Sequence, residues 1–183
     1  MLSKILLLTA TALTSVSALG NAVVSNQCPY DIYLWSVDQQ TNPLSGTLIP
    51  ARTLYTEPFR TPCPGCGISL KISTTSSLVG GHMTQFEYAI DTGLIYYDIS
   101  FVDCAVGQSA DNCPGHEKGL RIDSAEPSCL PLNCPSGTYC VNDAYYVDDP
   151  NVKLGIPAPV KTCARDMLGM DLVFRVCGDE APL

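Results

Sequence analysis

The sequence predicts an all-β sandwich, and two features of the 183-residue chain support that prediction. Short runs of alternating apolar and polar residues recur about every ten residues, each bounded by turn-forming Gly, Pro, Asn, Asp or Ser. Helical periodicity is weak, since only residues 139–146 and 163–169 have a pattern that favours a short helical turn. A chain of this length suits one domain with a hydrophobic core of its own.

Nine segments have the pattern of a strand. In chain order they are residues 21–25, 31–37, 47–49, 53–55, 68–72, 83–90, 95–102, 120–122 and 171–176. The second has apolar residues on both faces, which is typical of a strand inside a sheet. The sequence Asp91-Thr92-Gly93 predicts a hairpin turn between the sixth and seventh segments.

The segment 95–102 has the clearest alternation, and two carboxylates interrupt it. Asp98 lies within the strand and Asp103 follows its end. Because charged side chains are mostly exposed, one interpretation is a solvated polar face; the other is an acidic binding site. Five residues of extended strand span about 16 Å. Both acids therefore share one site only if the chain bends after Val102.

The first 18 residues predict a secretory signal peptide. Lys4 precedes an apolar run at 5–13, and small residues at 16–18 favour cleavage after Ala18. That run is shorter than the about 20 residues that span a bilayer, and no later stretch is long enough. We therefore expect residues 19–183 to form a single domain that is secreted, extracellular or associated with the cell wall, without a membrane partner.

Charge and cysteine content restrict the class of protein further. The formal net charge of −8 gives no electrostatic attraction to nucleic acid, so nucleic acid is not an expected partner.

All ten cysteines follow the predicted leader. An even number of cysteines in a secreted chain predicts five disulfides, although spacing alone leaves their pairing open. Cys63 and Cys66 have the spacing of a zinc knuckle, but no second Cys or His pair accompanies them, so neither a metal nor a cofactor is expected. Residues 104–161, dense in Cys, Pro, Gly and Asp, predict a disulfide-stapled excursion from the sandwich.

Several short motifs resemble those of thaumatin-like proteins, in the same order. Residues 23–30 with Trp35 resemble the opening of that family, residues 84–86 and 97–103 resemble its paired central segments, and residues 143–150, Cys163 and residues 174–177 resemble its C-terminal signature. The resemblance extends from residue 22 to residue 177. It is strongest to the small secreted fungal branch, the antigenic thaumatin-like or yeast-phase-specific proteins.

The resemblance implies a flattened thaumatin-like β-sandwich with a disulfide-rich loop lobe and an acidic cleft between them. Members bind β-1,3-glucan, and some hydrolyse it weakly. Family order implies the pairs Cys28–Cys177, Cys63–Cys66, Cys104–Cys163, Cys113–Cys129 and Cys134–Cys140.

The family's cleft contains one Arg, one Glu and three Asp. By position, Asp98 and Asp103 match two of the aspartates, and either Asp148 or Asp149 matches the third. Gln85 falls on the glutamate. The arginine has no clear counterpart, because Thr56 falls on its position and Arg60 lies nearby.

The Gln at the glutamate position favours binding over hydrolysis, because an amide has no transferable proton for general acid catalysis. Glu87 would share a strand face with Gln85. We therefore expect a monomeric, secreted protein that binds cell-wall polysaccharide, β-1,3-glucan, with little or no catalysis. The alternatives are a weak endo-β-1,3-glucanase, and a secreted antigen, effector or inhibitor that acts by contact with a host or other extracellular protein.

Overall fold

The computed structural model describes residues 19–78, 82–163 and 169–181; the predicted signal peptide, residues 1–18, lies outside them. A short helix, α1 (Pro150–Leu154), and a 3₁₀ turn at His116–Lys118 accompany the strands. The strands are β1 (Asn21–Asn26), β2 (Ile32–Val37), β3 (Thr47–Ile49), β4 (Thr53–Pro58), β5 (Gly67–Ser73), β6 (Thr84–Asp91), β7 (Leu94–Ser100), β8 (Leu120–Asp123), β9 (Leu132–Cys134), β10 (Lys161–Thr162) and β11 (Leu172–Val176).

The strands form two sheets. The five-stranded sheet has the order β4-β1-β11-β8-β9, and the six-stranded sheet has the order β10-β7-β6-β5-β2-β3. Strands β1 and β11 pair in parallel, which joins the two ends of the described chain. Apolar side chains from alternate positions of both sheets meet in the core, where the rings of Phe86 and Phe174 lie 5.2 Å apart. The predicted all-β fold is confirmed.

All nine predicted strands are present, with ends that differ by up to three residues. The turn of the β6–β7 hairpin is confirmed, with positive φ at Thr92 and Gly93 as a type I′ turn requires. Strands β9 and β10 were missed because they are short and lie in, or at the end of, the stretch dense in Cys, Pro, Gly and Asp that predicts a loop excursion. No helix among the described residues has the length and hydropathy to cross a membrane.

Helix α1 was also missed, although its ends carry the expected signals. Asp149 caps it by accepting a 3.0 Å hydrogen bond from the Val152 amide, Pro150 opens its first turn, and Gly155 ends it with φ 69°. In the predicted helical region 139–146 only one turn forms, closed by a 3.0 Å bond from the Ala144 amide to the Cys140 carbonyl. Of the other predicted region, residues 164–168 lie outside the described part.

All ten cysteines form disulfides, and three of the five predicted pairs are confirmed: Cys28–Cys177, Cys63–Cys66 and Cys134–Cys140. The pairs Cys104–Cys163 and Cys113–Cys129 are wrong. Cys104 bonds to Cys113, and Cys129 bonds to Cys163.

The loops around β7 explain the two exchanged pairs. After β7 the chain turns back through a bridge between Val106 and Ser109, which returns Cys113 to Cys104 within one loop. The other two cysteines meet at the opposite end of the strand. There the Cys163 amide donates to the Ile95 carbonyl at 3.1 Å, and the Tyr97 hydroxyl donates to the Leu130 carbonyl at 2.6 Å.

The segment 104–161 is more than a stapled excursion. It supplies β8 and β9 to the five-stranded sheet and places Leu120, Ile122 and Leu132 in the core with less than 2% exposure. Only its turns, the short helix and the edge strand β10 lie outside that sheet. The outer face of the six-stranded sheet is bordered by part of this segment.

Candidate functional site

Two rows of side chains cross the outer face of the six-stranded sheet. Strand register aligns Val37, Ser69, Glu87 and Asp98 in one row, and Trp35, Lys71, Gln85 and Ser100 in the next. Alternation places them on this face, because their neighbours along each strand, such as Leu70, Phe86 and Ile99, are buried in the core. Polar side chains from three strands therefore lie side by side.

Glu87 and Asp98 form a cross-strand pair of carboxyl groups. They are directly opposite in the β6–β7 register, where the Cβ atoms of such cross-strand pairs lie about 4.5–5.5 Å apart. Asp98 Oδ1 is buried and has no hydrogen-bond partner among the described residues. We call Glu87 and Asp98 the carboxyl pair.

Burial and mutual repulsion raise the proton affinity of the carboxyl pair. Burial, followed by the charge of Glu87, raises the pKa of Asp98 well above its usual range. Burial is also the main cause of the raised pKa of Glu87, and the Lys71 ammonium opposes it. Each carboxyl group of the pair therefore keeps its proton to a higher pH than an exposed carboxyl group would.

Gln85 connects the second row to Asp103. Its Nε2 donates to Asp103 Oδ2 at 3.0 Å, and its Oε1 accepts from Lys71 Nζ and Ser69 Oγ, both at 2.8 Å. The ammonium of Lys71 is also 3.6 Å from Asp103 Oδ2. The chain does bend after β7, which brings Asp103 beside Gln85. The structure thus places Asp98, Asp103 and Gln85 on one face.

Two adjoining depressions share the carboxyl pair, and together we call them the acidic cleft. One, of about 450 Å³, extends over β5 and β6 towards Asp38 and Tyr96. The other, of about 330 Å³, extends towards Tyr145 and Asp148. Burial, helped by the carboxylates of Asp98 and Glu87, raises the pKa of Tyr145 to about 12. Its hydroxyl therefore stays protonated and can donate to a ligand.

Asp148 and Asp149 have different environments. Asp148 lines the cleft, is exposed, and pairs with Lys153, whose hydrogen bond lowers the pKa of that carboxyl. Asp149 instead caps α1. Of the two candidates for the third aspartate, only Asp148 is part of the cleft lining.

Arg60 lies apart from Asp98 and Asp103, at the edge of the core between the sheets. Its guanidinium donates to Glu57 Oε1 at 2.5 Å and, from two nitrogens, to Asp38 Oδ2 at 3.2 Å. Glu57 also accepts from hydroxyls of both sheets, those of Ser36, Tyr55 and Tyr88. Arg60 is absent from the cleft lining, and its hydrogen bonds to Asp38 and Glu57 link residues of the two sheets.

Lys71 lies beside the cleft, bonded to Gln85, and sequence reasoning missed it. The alternation of residues 68–72 already assigned it to the polar face of its strand, so a signal existed. Its position opposite Gln85 depends on the β5–β6 register. Of the tyrosines, Tyr96 and Tyr145 line the cleft, whereas Tyr97 and Tyr146 are buried.

Curated relatives are fungal proteins. The antigenic thaumatin-like protein of Arthroderma benhamiae is 32% identical over 127 residues, covering 69% of this chain and 60% of the relative. The secreted thaumatin-like protein calA of Emericella nidulans is 30% identical over 162 residues, covering 82% of this chain and 89% of the relative. The chain therefore spans less than two thirds of the first relative and most of the second. The name of the second supports the predicted secreted localisation, which is confirmed.

Solved structures share the fold. The protein elicitor MoHrip2 from Magnaporthe oryzae superposes with a TM-score of 0.60 at 19% identity, covering 86% of this chain and 98% of that one. The thaumatin-like xylanase inhibitor TLXI superposes with a TM-score of 0.50 at 12% identity, covering 85% and 98%. The family model of the Blastomyces yeast-phase-specific protein, Bys1, matches residues 9–178. The chain thus belongs to the Bys1 family of thaumatin-like proteins.

Proposed function

We propose that this protein binds a neutral cell-wall polysaccharide, β-1,3-glucan, in the acidic cleft, with little or no catalysis. The observation that carries the proposal is the pair of adjoining depressions joined at Glu87 and Asp98. An elongated lining of this kind suits a chain ligand that continues beyond one pocket. The resemblance to glucan-binding thaumatin-like proteins supplies the ligand class.

The lining has the groups that a sugar requires. The amide of Gln85, the hydroxyl of Ser69 and the ammonium of Lys71 already form a polar network that sugar hydroxyls can join. Tyr96 and Tyr145 add flat apolar rings that carry a polar hydroxyl, and such rings suit the faces of a pyranose. Binding by a few polar groups on a partly apolar surface is typical of ligand sites.

The same geometry disfavours hydrolysis. Glycosidases separate their two carboxyl groups by about 5–5.5 Å or about 6.5–9.5 Å, so that one remains an acid while the other acts as nucleophile or base. Burial is the main cause of a raised pKa for both Glu87 and Asp98, so their environments do not separate one acid from one base. The other acids nearby are already bonded, Asp103 to Gln85 and Asp148 to Lys153.

Asp98→Asn should weaken retention on insoluble β-1,3-glucan by up to about tenfold, because it changes the carboxyl group where the two depressions join, and a hydrogen bond contributes about 0.5–1.5 kcal/mol. The measurement is a pull-down against glucan, chitin and cellulose, with reducing-sugar release from laminarin followed in parallel. Asp91→Asn, the same change at the exposed end of β6, is the matched control. Equal retention of the two variants would contradict a role for Asp98 in binding. Sugar release by the parent that Asp98→Asn abolishes would show an enzyme instead.

Asp98→Asn should also make folding less sensitive to pH. The pKa of the carboxyl pair is higher in the folded chain than in the unfolded chain, so the folded chain binds more protons. The free energy of unfolding therefore falls as pH rises from about 4, the ordinary carboxyl pKa, through the raised pKa of the pair. The variant removes the carboxyl group whose pKa is raised well above its usual range, and with it the like-charge contact to Glu87. It should be more stable than the parent at pH 7 by about 1 kcal/mol, the scale of a cross-strand like-charge pair. Urea unfolding at pH 3.5 and pH 7 tests this. A constant difference between variant and parent at both values would contradict a raised pKa of Asp98.

Contact with a protein is the second candidate function. Helix α1, next to Asp148, exposes 80% of Val152 and 41% of Leu154. Val152→Ser separates the two functions, because it should leave glucan retention unchanged. A parent protein that none of the three polysaccharides retains would favour the protein partner.

A further inference from the structure

A second polar pocket lies on the outer face of the five-stranded sheet, on the opposite side of the sandwich from the acidic cleft. It has a volume of about 240 Å³, and its lining residues are Gln27, Arg121, Asp123, Arg175, Gly178 and Glu180. Arg121 and Arg175 are directly opposite each other in the β8–β11 register. We call this the arginine pocket.

The two guanidinium groups share one carboxylate. Arg175 donates to Asp123 from Nε at 2.8 Å and from Nη2 at 3.0 Å, and Arg121 Nε lies 2.9 Å from the same carboxylate. The remaining N–H groups of both arginines have no hydrogen bond to any described residue. The cluster therefore has a net charge of about +1 in a chain of formal charge −8. The other acid of the lining, Glu180, is already paired with Arg52 and Lys118.

Gln27 is the second, independent sign of a ligand. Gln27 is only 1% exposed and lines the pocket. Neither its Nε2 nor its Oε1 has a hydrogen-bond partner among the described residues. Ser25 Oγ, two residues earlier in β1 and opposite Arg175, is also buried without one. Leaving a buried polar group unpaired costs free energy, so native proteins rarely do so without a reason.

Gly178 keeps the space between the arginines open. A Cβ at this position would lie 3.3 Å from the Arg121 Cβ and 3.5 Å from the Arg175 Cβ. The glycine is not in the left-handed region, so its backbone does not require the absence of a side chain. A side chain at this position would instead fill the gap between the aliphatic parts of the two arginine side chains.

We propose that the arginine pocket binds a small hydroxycarboxylate, namely a sugar acid. The two free Nη groups of Arg121 match the geometry of a carboxylate, and Arg175 Nη1 is a further free donor. The Gln27 amide can donate to and accept from an adjacent hydroxyl. The pocket is smaller than the roughly 300–1,000 Å³ that drug-sized ligands occupy, which suits one sugar unit. Asp123 and Glu180 would repel the second charge of a phosphate dianion, so a monoanion is favoured.

D-glucuronate is the probe, titrated into ¹⁵N-labelled protein, with glucose and inorganic phosphate as comparisons. We expect saturable shifts of the Arg121 and Gly178 amides with glucuronate, none with glucose, and weaker binding of phosphate. Arg121→Gln should weaken glucuronate binding at least about tenfold, because it removes a charge-assisted contact. Lys161→Gln, the same loss of charge on the six-stranded sheet, should not. Gly178→Ala should weaken binding by filling the gap.

Gln27→Met gives a second readout that does not depend on charge. It preserves the size of the side chain and removes the unpaired amide, so the free protein should melt at a higher temperature while its affinity for glucuronate falls. A spectrum with native dispersion confirms that each variant is folded. The proposal is overturned if glucose binds as well as glucuronate, if phosphate binds more tightly, if Lys161→Gln and Arg121→Gln have equal effects, or if Gln27→Met binds glucuronate as the parent does.

Discussion

Replacing Cys28 and Cys177 by alanine should lower the free energy of unfolding by about 5 kcal/mol, the largest loss of any single disulfide in this protein. The bridge joins cysteines 149 residues apart, and loop-closure entropy in the unfolded chain grows with that separation. It extends the parallel pairing of β1 with β11 beyond Asn26 and Val176, and both cysteines are fully buried. Total stabilities of about 5–15 kcal/mol are usual, so the variant should be close to unfolding at 37 °C.

Guanidinium unfolding at a fixed pH measures this loss, with the Cys63/Cys66 double alanine variant as the control. That bridge spans three residues in an exposed turn, and the same relation gives about 2 kcal/mol for it. Similar losses in the two variants would contradict the loop-length argument. They would show instead that strain or local packing sets the contribution of each bridge.

Arg60→Met should destabilise the protein by about 2–3 kcal/mol, although sequence position assigned Arg60 to the neighbourhood of the cleft. The side chain of Glu57 is 12% exposed, so removing Arg60 leaves that carboxylate without a counterion, held only by neutral hydroxyl donors. Breaking a buried ion pair costs about 3–5 kcal/mol, and the one-third exposure of Arg60 reduces that figure. The loss should appear in the midpoint of urea unfolding.

Arg52→Met is the matched control for Arg60→Met. Arg52 pairs with Glu180 at 3.4 Å with 40% of its side chain exposed, and exposed pairs contribute about 0.2–1 kcal/mol. A second check is the double variant Arg60→Met/Glu57→Gln, which should recover part of the stability because it removes the carboxylate left without a counterion. Equal stability of the Arg60 and Arg52 variants would contradict a joining role for Arg60.

The strands were predictable because their signal is local. The core face of β7 follows from the alternation of Ile95, Tyr97 and Ile99, and the hairpin before it follows from Thr92 and Gly93. Strands β9 and β10 gave no such signal, because they lie in or at the end of the Cys- and Pro-dense segment 104–161. They complete the edges of sheets that other strands form.

The disulfides show where family order stops being informative. Cys28 and Cys177 follow neighbouring strands, so any thaumatin-like pairing of β1 with β11 brings them together. The partner of Cys104 depends on how tightly its loop turns back, which the bridge between Val106 and Ser109 decides. Neither the order nor the number of cysteines contains that information.

Some features of the acidic cleft were likewise predictable from the sequence, and others depended on the tertiary structure. The sequence alone placed Asp98 on the polar face of its strand and showed that Gln85 and Glu87 share a face, because side chains alternate along every strand. Only the register between strands decided that Glu87 is opposite Asp98 and Lys71 opposite Gln85. Register is fixed by the packing of the apolar faces and by the turns, both of which are properties of the whole fold. The sequence alone therefore indicated several carboxyl groups on this face. Only the tertiary structure placed two of them, Glu87 and Asp98, opposite each other and buried them so that the pKa of each is raised.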